Sequence, residues 1–137
     1  MSDSISNEKN NQVFINPTDQ INWLATMMSI DNEVNEKEQK VVLDYGLKIG
    51  LKEEKIKRII STALKEQETL YPYLKLSKLP RNDDFMRALI QVVIADEKIA
   101  KEELEFMRLA AKKMQYTNEE FQQIFTEEKD NYQSNYK

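Results

Sequence analysis

The stretch LATMMSIDNEVNEKEQKVVLDYGLKIGLKEEKIKRII, residues 24–60, aligns without a gap on LIQVVIADEKIAKEELEFMRLAAKKMQYTNEEFQQIF, residues 89–125. Apolar residues coincide at many positions of the alignment. The principal pairs are Leu24/Leu89, Met27/Val92, Met28/Val93, Val34/Ile99, Val41/Phe106, Val42/Met107, Ile49/Met114, Ile56/Phe121 and Ile59/Ile124. A constant shift of 65 residues that continues through two predicted corners indicates a duplicated structural unit.

Each copy has apolar residues at helical spacing in three successive segments. Asn16 and Pro17 are suited to begin the first helix, and Gly50 stands where a helix C-terminal glycine is expected. One copy alone would leave an apolar face exposed, so the two copies are expected to share a core. We therefore predict an all-α fold, a single globular domain of about seven helices. It consists of two pseudo-symmetric three-helix repeats joined by a short proline-flanked connector.

The segment between the copies, Leu70–Pro80, contains two prolines and is predicted to be this connector, either irregular or with one short helix between its prolines. The polar N-terminus lacks apolar periodicity and is predicted to be a flexible tail. The predicted boundaries are a tail over 1–12, a helical domain over 13–128 with repeats 17–66 and 82–128, and a C-terminal tail over 129–137.

The composition argues against several classes of function. The net charge of −4 gives no overall attraction to nucleic acid or anionic lipid. With no cysteine and no histidine, the chain lacks thiolate nucleophiles, zinc-ribbon ligands and the commonest general base. The most apolar run, residues 88–95, is far too short to span a bilayer, and the N-terminus does not resemble a signal peptide. We expect a cytoplasmic protein that is not an enzyme, does not bind nucleic acid and does not insert into membranes.

Each copy carries the pattern Asp-x-x-(Val/Ile)-x-x-x-Glu between its first two helices. The residues are Asp31, Val34 and Glu38 in the first copy and Asp96, Ile99 and Glu103 in the second. The spacing equals positions 5, 8 and 12 of a calcium-binding EF-hand loop. The glycine that such a loop requires at position 6 is replaced by Asn32 or Glu97, and positions 1 and 3 lack acidic ligands, which excludes an EF-hand.

Two interpretations of these acidic corners stay open. In the first, the aspartate satisfies backbone donors at the corner and the glutamate caps the next helix as its third residue, which stabilises the helix by about 1 kcal/mol. In the second, pseudo-symmetry brings Asp31, Glu38, Asp96 and Glu103 together at one surface position. Four converging carboxylates would favour a bound divalent cation or a basic partner. No other cofactor is expected.

The segment Val92–Phe106 resembles the TerB-like family of tellurite-resistance proteins, whose pattern is an apolar helix, Ala-Asp-Gly, a nearby Ile or Val and a downstream Glu. Both copies depart from this pattern at the glycine, where they have Asn32 and Glu97. The segment Ser29–Glu38 resembles the same pattern, and the likeness extends over about residues 20–127. A similar domain forms the N-terminal region of some DnaJ-like co-chaperones. The resemblance implies an all-α domain of about seven helices with a role in stress response or regulation. It implies no established reaction, and it implies a candidate cation site at Asp31, Glu38, Asp96 and Glu103.

Tyr71 and Tyr73 flank Pro72 within a leucine-rich segment. They either pack over the core or form an aromatic patch for a partner. The leading hypothesis is a non-enzymatic interaction or regulatory domain with an unidentified protein partner, and the sequence leaves a homodimer open. The alternative is a divalent-cation-responsive module that uses the paired acidic corners.

Overall fold

The computed structural model describes residues 16–30, 36–76, 79–95 and 101–136, without the side chains of 67–76 and 132–136. These residues form six α-helices and no β-strand, so the predicted all-α class is confirmed. The helices are α1 (Pro17–Ser29), α2 (Glu36–Lys48), α3 (Glu53–Leu76), α4 (Asp83–Ala95), α5 (Lys101–Lys113) and α6 (Asn118–Tyr136). Within this described part, none of the helices combines the length and the apolar character that crossing a bilayer requires.

Side-chain caps fix the start of several helices. Asn16 has an extended backbone, and its side-chain oxygen accepts a hydrogen bond from the Asp19 amide at 2.8 Å. Asn82 accepts one from the Phe85 amide at 3.0 Å in the same way before α4. Each cap satisfies a backbone donor that would otherwise lack a partner in the first turn. The cap predicted at Asn16 is therefore confirmed.

The helix boundaries repeat at the predicted spacing of 65 residues. Helix α2 spans Glu36–Lys48 and α5 spans Lys101–Lys113, so both ends of the two helices are 65 residues apart. The starts of α3 and α6, at Glu53 and Asn118, differ by the same number. We conclude that α1, α2 and α3 correspond to α4, α5 and α6.

The same C-terminal cap ends α2 and α5. Gly50 and its equivalent Gln115 both have positive φ angles, 99° and 66°. The following amides donate back into the helix, from Leu51 to the Gly46 carbonyl at 2.9 Å and from Tyr116 to the Ala111 carbonyl at 3.0 Å. This is a Schellman motif, which favours glycine because a left-handed residue avoids a Cβ clash only without a side chain. The second copy keeps the motif although its residue at this position is glutamine.

One aromatic pair joins the two copies in the core. Trp23 of α1 and Phe106 of α5 are both buried, with ring centroids 4.8 Å apart and ring planes 26° apart. Helices α1 and α3 pack closely, and α4 packs against both α2 and α6. Because Trp23 belongs to the first copy and Phe106 to the second, the described residues form one shared core.

Helix α3 is longer than predicted. It continues to Leu76, through Pro72 and most of the predicted connector, so residues 70–76 of the connector are helical. Its regular geometry is interrupted only at Glu66, where φ is −119° and ψ is 24°. The first repeat was predicted to end at Glu66. The helical residues that follow it are therefore separated from the rest of α3 by a bend and not by a loop.

Helix α6 also extends beyond its prediction. It continues to Tyr136, into the segment assigned to the C-terminal tail 129–137. Arg87 of α4 pairs with Glu127 at 3.1 Å and with Glu128 at 3.5 Å, which fixes α6 just before that segment. The predicted N-terminal tail 1–12 lies outside the described residues.

Candidate functional site

Both glutamates of the acidic corners lie in the protein interior. Glu38 is the third residue of α2 and Glu103 the third residue of α5, the position predicted for each. Their exposed fractions are 1% and 0%. The positive end of a helix dipole stabilises a carboxylate at this position. The expectation that these two groups lie at one surface position is therefore corrected, because burial places them beneath the surface.

The two aspartates of the same pattern, Asp31 and Asp96, lie outside the described residues. Glu38 and Glu103 are thus the two predicted cation ligands that the structure places, at equivalent positions of the two copies. Within the described ranges, no group of three or more Asp, Glu, His or Cys residues is arranged to hold a metal ion. Cation binding by all four residues stays a prediction.

Tyr71 and Tyr73 belong to the last part of α3. Their side chains lie outside the description, so the partner surface predicted there stays a prediction. Two leucines elsewhere are exposed, Leu47 at 46% and Leu64 at 40%. Both belong to the first copy, on α2 and α3.

A cleft of about 630 Å³ opens between α5 and α6. Its mouth carries two cations and two amides, and its base is apolar and aromatic. None of the acidic side chains among the described residues lines it. We call it the α5/α6 cleft, and its lining residues are Arg108, Ala111, Lys112, Tyr116, Asn118, Phe121 and Gln122.

The cleft exists because the two copies pack differently at equivalent positions. Helices α2 and α3 pack closely, whereas α5 and α6 approach each other much less. A Cβ atom added at Gly46 would lie 2.5 Å from Cδ1 of Ile56, so glycine is needed for this close contact in the first copy. The second copy has Ala111 and Phe121 at these positions. The added methyl group and the larger ring hold α5 and α6 apart.

Arg81 holds one wall of the cleft in place. Its guanidinium carbon lies 4.0 Å from the centroid of the Tyr116 ring, a cation–π contact. Its Nη2 also lies 2.9 Å from Oε2 of Glu120, and the Tyr116 hydroxyl donates to the Asp83 carboxylate. Burial and this hydrogen bond to Asp83 raise the pKa of Tyr116. These contacts therefore fix the position of the Tyr116 ring without a bound ligand.

Glu120 makes the stability of this wall sensitive to acid. The hydrogen bond from Arg81, helped by one from the Thr117 amide, lowers the pKa of Glu120 from 4.5 to about 2. A lowered pKa stabilises the folded state above pH 4.5, and this stabilisation is lost as the pH falls from 4.5 to about 2. We expect the Glu120→Gln variant to lose less stability than the wild type as the pH falls through this range. Urea unfolding at several pH values measures the difference.

The matched control is Glu119→Gln, which removes a neighbouring charge that has no bond to Arg81. If the two substitutions reduced the loss of stability in acid equally, the Arg81–Glu120 pair would not be the cause of the pH dependence of stability.

A smaller groove of about 190 Å³ lies where α2 meets α4 and α6. Tyr45 of α2 donates a hydrogen bond of 2.5 Å to Oε1 of Gln20, and burial, with a smaller effect of Asp84, raises the pKa of Tyr45 to about 12. Asp84 and Arg87 of the second copy line the same groove as Tyr45. Because it carries both acidic and basic groups, the groove is a polar junction between the copies.

The family model described as tellurite resistance protein TerB matches residues 19–126. The chain belongs to the TerB family. The match covers both copies and confirms the predicted resemblance, which rested on the corner patterns. No curated protein and no solved structure matches the chain significantly.

The α5/α6 cleft lies within the region matched by the TerB family, but sequence analysis did not find it. The repeat alignment contains the signal. Arg108 and Lys112 stand at the positions of Leu43 and Leu47, and Ala111 stands at that of Gly46. The apolar pattern of the repeat marks the positions that the two copies share, whereas the cleft depends on positions where they differ.

Proposed function

We propose that this TerB-family chain is a non-enzymatic regulatory domain that acts in a cytoplasmic stress response by binding another protein. The observation that supports the proposal is the α5/α6 cleft, which presents cationic and amide groups around an apolar base. Such a combination suits recognition, because polar groups at the edge give orientation and an apolar base gives affinity. The side chains of Arg108 and Lys112 offer only hydrogen-bond donors to a partner.

Growth of a deletion strain tests this proposal. Deleting the gene from its host should reduce growth in the presence of tellurite or an oxidant, and the wild-type chain supplied in trans should restore it. The family match supports this choice of stresses. Unchanged growth under both stresses would contradict a stress-response role.

The alternative function is a module that responds to a divalent cation. It is favoured by the equivalent placement of Glu38 and Glu103, which are both buried and are the third residues of corresponding helices. If Asp31 and Asp96 complete the site, then calcium, magnesium or manganese should raise the melting temperature of the wild type. An Asp31→Asn/Asp96→Asn variant should not respond.

The matched control for this test is Asp44→Asn/Asp130→Asn, which removes two exposed carboxylates outside the corners. It should respond to the cation as the wild type does. If the wild type shows no change in melting temperature, the cation function is wrong and the acidic corners serve only to cap helices.

A further inference from the structure

Two exposed cations at the cleft have no carboxylate partner among the residues that the structure describes. Arg108 and Lys112 lie one turn apart on α5, and neither forms an ion pair within the described residues. Arg81 and Arg87, by contrast, are held by carboxylates of α6. Side chains four residues apart on a helix have Cβ atoms about 5–6 Å apart. The pair therefore matches two carboxylates at a similar spacing.

The opposite wall carries two amides, Asn118 and Gln122, also one turn apart. The first copy has Glu53 and Lys57 at the equivalent positions, and these form an ion pair at 2.9 Å. In the first copy the two charges neutralise each other. In the second copy the amides offer both donors and acceptors to an incoming group.

The base of the cleft is apolar and already formed. Tyr116 and Phe121 are each 8% exposed, and Ala111 of α5 lines the cleft together with them. Because Arg81 fixes the Tyr116 ring, binding an apolar side chain here would require little ordering of the protein, which lowers the cost of association. The volume of about 630 Å³ is within the range of clefts that bind ligands.

We propose that the α5/α6 cleft binds an acidic amphipathic helix of another protein. The apolar face of that helix would rest on Tyr116 and Phe121, and two of its carboxylates would pair with Arg108 and Lys112. A helix laid between two helices in this way is a recurrent mode of peptide recognition. This inference rests on the proposed binding function and adds the chemistry of the partner.

The charge distribution favours an acidic protein segment over a nucleic acid. Affinity for a phosphate backbone needs several phosphate contacts, whereas the mouth of the cleft supplies two cations on a chain of net charge −4. Two cations beside an apolar base instead suit a ligand with a few carboxylates and an apolar side chain.

Fluorescence anisotropy with the full chain and designed peptides tests the proposal. The probe is a labelled helical peptide with leucines on one face and glutamates on both sides of that face, and the comparison peptide has glutamine for each glutamate. The acidic peptide should bind at least ~10-fold more tightly than the glutamine peptide. Its affinity should fall as salt shortens the Debye length from about 10 Å at 0.1 M to about 3 Å at 1 M.

The Arg108→Glu/Lys112→Glu variant should weaken binding of the acidic peptide by ~10-fold or more, since two attractive contacts become repulsive. The matched control Lys55→Glu/Arg58→Glu makes the same change of charge at exposed positions of α3 and should stay within ~2-fold of the wild type. Far-ultraviolet circular dichroism confirms that each variant is folded. Equal binding by both variants, equal binding of both peptides or no binding at all would overturn the proposal. The growth phenotype of the deletion strain is independent of these outcomes.

Discussion

Trp23→Ala should lower the free energy of unfolding by about 3–5 kcal/mol, the usual cost of truncating a buried tryptophan. Trp23 is 1% exposed and stacks on Phe106, so the substitution removes both apolar burial and the contact between the copies. A domain of this size is stabilised by about 5–15 kcal/mol, so the loss is a large part of the total. Urea unfolding followed by circular dichroism measures it, because Trp23 is also the only tryptophan.

Leu47→Ala is the control for this experiment. Leu47 is 46% exposed, and its truncation should change the stability by no more than about 0.5 kcal/mol. A loss below about 1 kcal/mol for Trp23→Ala would mean that Trp23 does not join the two copies, because buried large-to-small changes seldom cost so little.

Gly46→Val should lower the free energy of unfolding by about 1–3 kcal/mol, the typical cost of overpacking. Even the first atom of a new side chain would lie 2.5 Å from Cδ1 of Ile56 and 2.8 Å from its Cγ1. Ile56 is fully buried and has little room to move. Valine is a better helix former than glycine, so a small gain in helix propensity would offset part of the loss of stability. Thermal and urea unfolding both measure the change.

The equivalent substitution in the second copy, Ala111→Val, is the matched control. Ala111 is buried but lines the α5/α6 cleft, where the two helices approach each other much less than α2 and α3 do, so the added methyl groups meet less crowding than at Gly46. We expect a loss of less than about 1 kcal/mol, mainly from the lower helix propensity of valine. Equal losses at Gly46 and Ala111 would contradict the conclusion that the two copies pack differently here.

The helices and their order could be predicted from the sequence because local signals and the repeat agree. The asparagine at position 16 and the glycine at position 50 mark helix ends by their own chemistry, and both predictions are confirmed. The repeat then transferred the boundaries of the first copy to the second. Gln115, 65 residues after Gly50, has the same left-handed conformation, although glutamine by itself does not indicate a left-handed helix end.

The length of helix within the connector could not be predicted because proline is an ambiguous signal. Helix α3 continues through Pro72 after the bend at Glu66. A proline removes one hydrogen-bond donor and disfavours helix at the preceding residue, but tertiary packing can outweigh both effects. The sequence contains no comparable marker for the bend, since Glu66 lies in a run of good helix formers.

The burial of Glu38 and Glu103 could not be predicted from the sequence either. Their position as third residues of two helices follows from the spacing of the corner pattern and is confirmed. Charged residues at helix starts are usually exposed, so the pattern alone favoured a surface location. The depth of a side chain depends on how the two copies pack, which no local pattern specifies.

Growth of the deletion strain with cleft variants tests the central claim, that this TerB-family chain acts through the α5/α6 cleft, most directly. The strain would carry the wild type, Arg108→Glu/Lys112→Glu or Lys55→Glu/Arg58→Glu, each at matched protein levels under tellurite or oxidant stress. We predict that the wild type and the Lys55/Arg58 variant restore growth and that the Arg108/Lys112 variant does not. Equal restoration by all three chains would contradict the claim.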